Sequence, residues 1–112
     1  DHFLVLSGDD PITLGLLGTG GDGVISVIAN VYPKLFSEMT RAALNGDFNT
    51  ARSHNLKLFD LHKWLYIEGN PAGIKAAAHY LGMCQNLFRL PLVPMSHSNY
   101  ENLVREMNKI GI

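Results

Sequence analysis

Two short apolar runs near the start of the chain constrain its fold more than any other feature. His2-Phe3-Leu4-Val5-Leu6 stops at Ser7-Gly8-Asp9-Asp10, and Gly23-Val24-Ile25-Ser26-Val27-Ile28 stops at Ala29-Asn30. Neither run alternates apolar with polar residues, so each reads as a strand covered on both faces, as in a parallel sheet. Between them Asp10-Pro11 reads as a cap followed by a first-turn proline. The short helix it opens carries Ile12, Leu14, Leu16 and Leu17, and is ended by Gly18, Gly20 and Gly21. The result is a βαβ unit. Buried parallel strands need neighbours on their edges, and nothing later in the sequence reads as one. The residues therefore imply the tail of a larger α/β protein. A chain that opens at Asp1, with no Met, basic stretch or targeting segment, agrees with that expectation.

The remainder reads as helix. Pro33 opens a segment with Leu35, Phe36, Met39, Ala42, Ala43 and Leu44 at helical spacing, and Asn45-Gly46 closes it. A longer amphipathic helix runs from about Asp47 to Ile67. Asn70-Pro71 caps another that passes through Ala76-Ala77-Ala78 to Gly82. Leu87 to Met95 is a proline-interrupted connector, and Ser98-Asn99-Tyr100-Glu101 fits a capping box for a last helix ending at Gly111.

Charge and composition exclude several functions. The 112 residues carry a formal net charge of -1, without the basic surplus that a nucleic-acid or anionic-membrane partner demands. No apolar run is long enough to span a bilayer. The single cysteine, Cys84, rules out an internal disulfide framework and fits a reducing compartment. His54 and His62 are eight apart and no pair has the spacing that sets two imidazoles on one helical face, so no metal site is expected.

Gly18-Thr19-Gly20-Gly21-Asp22-Gly23 matches the dinucleotide pattern G-x-G-x-x-G. It leaves a helix and enters a strand, the reverse of what phosphate binding requires, so it reads as a helix terminator and a tight turn. Ser7-Gly8-Asp9-Asp10 lies at the C-terminal end of the first strand, where α/β proteins place their sites. Asp9 and Asp10 can bind hydroxyls there; equally, Asp10 caps the next helix and Asp9 is a solvated turn residue. Gly8 suits a backbone that something must approach closely. Ser26, at the matching end of the second strand, is a weaker candidate.

Leu4-Val5-Leu6-Ser7-Gly8-Asp9-Asp10 resembles the seventh barrel strand of the dihydrodipicolinate synthase and N-acetylneuraminate lyase family, and Gly20 to Val31 resembles its eighth. The helical part is similar too, through Gly46-Asp47, Leu61-His62, Asn70-Pro71 with Lys75, and Arg89-Leu90-Pro91-Leu92 with Pro94. The segment Val24 to Asn30 is closer to the synthase branch than to the sugar-acid lyases.

The resemblance implies an α/β fold comprising the last two strand-helix units of a (β/α)8 TIM barrel (residues 1–46), followed by a C-terminal helical domain (residues 47–112). It implies a cytoplasmic, homotetrameric lyase that condenses pyruvate with aspartate semialdehyde through a lysine Schiff base, with no cofactor and no metal. The Schiff-base lysine belongs to an upstream portion of the barrel, because Lys34, Lys57, Lys63, Lys75 and Lys109 all read as helical. Gly73-Ile74-Lys75 imitates the family's sequence around that lysine but leads into the alanine-rich helix. No catalytic residue is therefore expected in this chain, which alone should be inactive. Ile25 and Gly8 are the residues implied to line the pyruvate site, with Asp9, Asp10 and Ser26 behind them. Two other readings stay open: another pyruvate aldolase of the family, of the N-acetylneuraminate lyase type, and a non-enzymatic helical interaction module.

Overall fold

The computed structural model describes residues 3–111; His2, the expected first residue of the first strand, lies outside them. Leu6–Ser7 (β1) pairs in parallel with Gly23–Val24 (β2), Leu6 opposite Gly23 and Ser7 opposite Val24. Backbone bonds extend the pairing on either side, from Asp22 N–H to Val5 O at 2.8 Å and from Ile25 N–H to Ser7 O at 2.9 Å. The second strand is shorter than the run Gly23 to Ile28 predicts. Val27 adopts helical angles and Ile28–Asn30 forms a 3-10 turn. Local polar groups cause the early stop: Ser26 Oγ accepts the Ala29 N–H, and Asp10 Oδ2 accepts those of Val27 and Ile28. Phe3, Leu4, Val5 and Leu6 stay exposed, as does Ile25 at 72%.

A 3-10 turn at Asp10–Ile12 leads into Thr13–Gly18 (α1). The glycine-rich loop then closes that helix, with Gly20 N–H bonded to Leu17 O and Gly21 N–H to Leu16 O. This is a Schellman cap, and Gly20 supplies the left-handed residue it needs, at φ +99°. The reading of G-x-G-x-x-G as a terminator is borne out. Pro33–Leu44 (α2) begins on its proline and ends on the same motif at Gly46. Phe48–Tyr66 (α3) follows, its first turn capped by Asp47 Oδ1, which accepts the Thr50 N–H at 3.1 Å. Hydrogen bonds from the Thr50 side chain and then its N–H hold the Asp47 carboxyl below the usual aspartate range.

The chain divides into two compact units, one reaching to Phe59 and the other starting at Asp60, with α3 running through the division. The first unit buries Leu17, Ile28, Val31, Phe36, Met39 and Leu58. Full burial of such side chains contributes about 1.5–3 kcal/mol each.

The second unit contains the end of α3, Ala72–Tyr80 (α4) and His97–Ile110 (α5). Leu61, Leu65, Ala76, Ala77, Leu103 and Met107 are among its buried residues. Gly73 sits so near α3 that a Cβ there would lie 2.6 Å from the Leu65 carbonyl carbon. The last helix begins earlier than the expected capping box: its cap is Ser96, and Ser98 lies inside the first turn. The acceptor comes from far along the chain. Glu68 takes the Ser96 N–H at 3.0 Å and also bonds the Ser96 hydroxyl and the Asn99 amide. The Ser96 hydroxyl, then Asn99, hold the Glu68 carboxyl below the ordinary glutamate range.

Candidate functional site

The C-terminal end of the paired strands gathers the polar residues that the sequence marks. Ser7 is buried, and its hydroxyl donates to Asp9 O at 2.8 Å. Thr13 Oγ1, fully buried, stands 3.0 Å from both Ser7 Oγ and Asp9 O. This hydroxyl pair locks the bend between β1 and the turn that follows. Neither Ser7 nor Thr13 stands out in the sequence as more than a turn or helix residue, since their pairing depends on how the chain bends.

On this mount the predicted residues separate. Asp9 is exposed in extended conformation, with its carboxylate at the surface. Gly8 is exposed, and a Cβ there would meet nothing within 4 Å. Nothing within the described residues demands glycine at that position. Asp10 is placed differently. It is only 1% exposed, and Oδ2 accepts the N–H groups of Val27 at 3.0 Å and Ile28 at 2.7 Å. Its carboxylate is turned inward and caps the turn after the other strand. The physical reason is the parallel pairing, which brings the start of that turn over the end of β1.

Ile25 and Ser26 also part company, because neighbouring residues of a strand face opposite ways. Ile25 points into the open, with its N–H held by Ser7 O. Ser26 lines a cavity of about 440 Å³ on the α2 side, with Leu6, Val24, Phe36, Thr40 and Arg41. Gly8, Asp9 and Ile25 are thus the exposed members of the predicted set, and Asp10 and Ser26 stand behind them.

All five lysines lie on helices, as their sequence context requires. Lys75 is held in place: its amine bonds to Leu87 O and stands 4.7 Å from the centre of the Phe88 ring. It fastens α4 to the connector. Among the described residues no group of three or more His, Cys, Asp or Glu is placed to hold a metal ion. No helix among them is long and apolar enough to cross a membrane.

The sequence model of the Dihydrodipicolinate synthetase family matches residues 1–110. The chain belongs to that family. It is 51% identical over 109 residues to the 4-hydroxy-tetrahydrodipicolinate synthase of Aquifex aeolicus, covering 97% of this chain and 37% of that protein. The crystal structure of dihydrodipicolinate synthase from Aquifex aeolicus superimposes with a TM-score of 0.94 and 49% identity, over 97% of this chain and 37% of the other. The chloride-inhibited dihydrodipicolinate synthase from Acinetobacter baumannii, solved complexed with pyruvate, gives a TM-score of 0.94 at 38% identity, covering 98% and 38%. The chain thus spans less than two-fifths of the length of these relatives. Its fold is that of the C-terminal part of such (β/α)8 barrels, the last two strand-helix units followed by helices.

Proposed function

We propose that these residues form the closing part of a Schiff-base lyase that condenses pyruvate with aspartate semialdehyde, in lysine and diaminopimelate biosynthesis. The observation that carries this reading is the strand end itself. Gly8 and Ile25 stand exposed together at the end of the pair where barrel enzymes bind substrate, in a chain about half identical to synthases.

The chemistry assigns each residue a task. A lysine amine from the upstream portion of the barrel attacks the pyruvate ketone, losing water to form an imine. Loss of a methyl proton gives an enamine, whose carbon attacks the aldehyde. The amine must be unprotonated to begin, and an apolar wall disfavours its charged form. Ile25 supplies part of that wall beside the pyruvate methyl. Gly8, with no side chain, lets the backbone approach the imine. Asp9 remains available to a polar substrate group.

The burial of Asp10 supports a synthase over a sugar-acid lyase, in which acidic residues near this position contact hydroxyls. The same reading carries a homotetramer and a cytoplasmic location. The test is to treat the full-length enzyme with pyruvate and borohydride and map the reduced adduct. It should fall on a lysine outside these 112 residues, and aspartate semialdehyde should compete with trapping. An enzyme that forms no adduct overturns the reading.

A further inference from the structure

Within these residues the side chain of Ile25 is 72% exposed. What they contribute to its position therefore comes through its backbone. On the N-terminal side that backbone is held by the strand pairing, which ends in the Ile25 N–H bond to Ser7 O at 2.9 Å. On the C-terminal side the nearest ties are the Val27 and Ile28 N–H groups, and both end on one oxygen of Asp10. Ser26 Oγ serves the next donor, Ala29 N–H, and so cannot take their place. Ile28 is fully buried, so its N–H would otherwise be cut off from water. The carboxylate is itself rigidly mounted, because the backbone just before it is held by the Ser7 and Thr13 hydroxyls. Bonds to an ionised acceptor are about twice as strong as neutral ones, so this clamp is a firm hold on the side of Ile25 that the strand pairing does not reach.

We propose that Asp10 is a positioning residue for the pyruvate site: it fixes the backbone just beyond Ile25 and so sets where the Ile25 side chain stands against bound pyruvate. This rests on the reading of Ile25 as a wall of that site. A misplacement of about 1 Å in a reacting pair costs up to about a hundredfold in rate, so a small backbone release here is visible in kinetics.

The test uses the full-length enzyme in four forms: Asp10→Asn, Asp10→Ala, Ile25→Ala and the double variant Asp10→Ala with Ile25→Ala. Pyruvate KM and kcat are measured with the rate of borohydride-trapped imine formation, and each variant is checked by thermal melting. Asp10→Ala should raise pyruvate KM about tenfold and slow imine formation, while the surviving protein melts cooperatively. Asp10→Asn keeps an oxygen acceptor without the charge and should restore most of the loss, leaving KM about threefold above wild type. In the double variant the Asp10 effect on pyruvate KM should vanish, because the side chain it positions is gone.

A merely structural role would instead lower kcat through lost active protein, with pyruvate KM unchanged, and would add to the Ile25 effect; either result overturns the proposal. If Asp10→Ala does not fold, Asp10→Asn decides, and an unchanged pyruvate KM there overturns it. If Ile25→Ala leaves pyruvate KM unaltered, the reading of Ile25 fails and this proposal falls with it. If Ile25→Ala raises KM and the Asp10 variants do not, the pyruvate wall stands and only the positioning role is lost.

Discussion

Replacing glycine by alanine at two helical positions should change stability in opposite directions. In Gly73→Ala, the new Cβ would lie 2.6 Å from the Leu65 carbonyl carbon and 2.7 Å from its Cα, with the carbonyl oxygen nearer still. To restore ordinary contact, which starts at 3.4 Å, the helices must separate by at least about 0.8 Å to clear the carbon, and by more to clear the oxygen. Such a gap forfeits about a quarter to a half of each facing van der Waals contact. The losses fall on Ala72, Ala76 and Ala77, the buried face of α4. Overpacking of this kind costs about 1–3 kcal/mol, at the upper end here because both colliding groups are backbone. Alanine returns about 1 kcal/mol of helix propensity, leaving a net loss of about 1–2 kcal/mol. Gly15→Ala lies in α1 with nothing within 4 Å of its Cβ, and should stabilise by about 0.5–1 kcal/mol. Urea unfolding followed by far-ultraviolet circular dichroism, at concentrations low enough to suppress association, reads both. A neutral or stabilising Gly73→Ala would show that α4 can move off α3 freely, and would refute the reasoning.

Further outcomes follow from other sites. In the full-length enzyme, Ile25→Asp should raise pyruvate KM steeply while the fold survives, because it sets a desolvated charge beside a bound anion; unchanged pyruvate kinetics would remove Ile25 from the site. The isolated 112-residue chain treated with pyruvate and borohydride should carry no adduct on Lys75, whose amine is engaged with Leu87 O and the Phe88 ring; a stoichiometric adduct there would contradict this. The same chain should bind a hydrophobic dye through Phe3 to Leu6 and Ile25, and the upstream part of the barrel should suppress the signal; a chain that ignores the dye would count against a missing sheet partner. Glu68 has a depressed pKa, so its stabilising effect is complete above the unfolded-state value and is lost as pH falls through the folded one. Acid should therefore loosen the start of α5, and Glu68→Gln should remove that part of the pH dependence in hydrogen exchange at Ser96 and Asn99.

Features that depend on neighbouring residues were legible in the sequence. Pro33 and Asn45-Gly46 bracket α2, the apolar stripe marks α3, and the position of Gly18 to Gly23 after a helix identifies a terminator rather than a phosphate loop. The candidates Gly8, Asp9 and Ile25, which the structure leaves exposed, were marked in the sequence by their place at strand ends and by family resemblance. What escaped were bonds made by side chains to distant backbone. Asp-Pro marks Asp10 as a local cap, and nothing nearby announces its bonds to the Val27 and Ile28 N–H groups, 17 and 18 residues away. The start of α5 was misplaced for the same reason, since Glu68 serves Ser96 across 28 residues. The strand run Gly23 to Ile28 was read too long because β-branched residues also fill the buried turn that follows.

The strand pair has a carboxylate at each end, and both bridge the same sequence interval. Asp22 Oδ2 accepts the Val5 N–H at 2.8 Å, while the Asp22 N–H returns a bond to Val5 O. Asp10 answers at the opposite end by taking the Val27 N–H. Val5 to Asp22 and Asp10 to Val27 are each 17 residues apart, the offset that pairs Leu6 with Gly23. Alignment is thus checked twice by charge. A slip of one residue in either direction would break the bonds that both carboxylates make, whatever the apolar side chains between them did. Uniformly apolar strands have no polar face to betray a wrong alignment, and here the proofreading lies outside the strands, in the two aspartates that flank them.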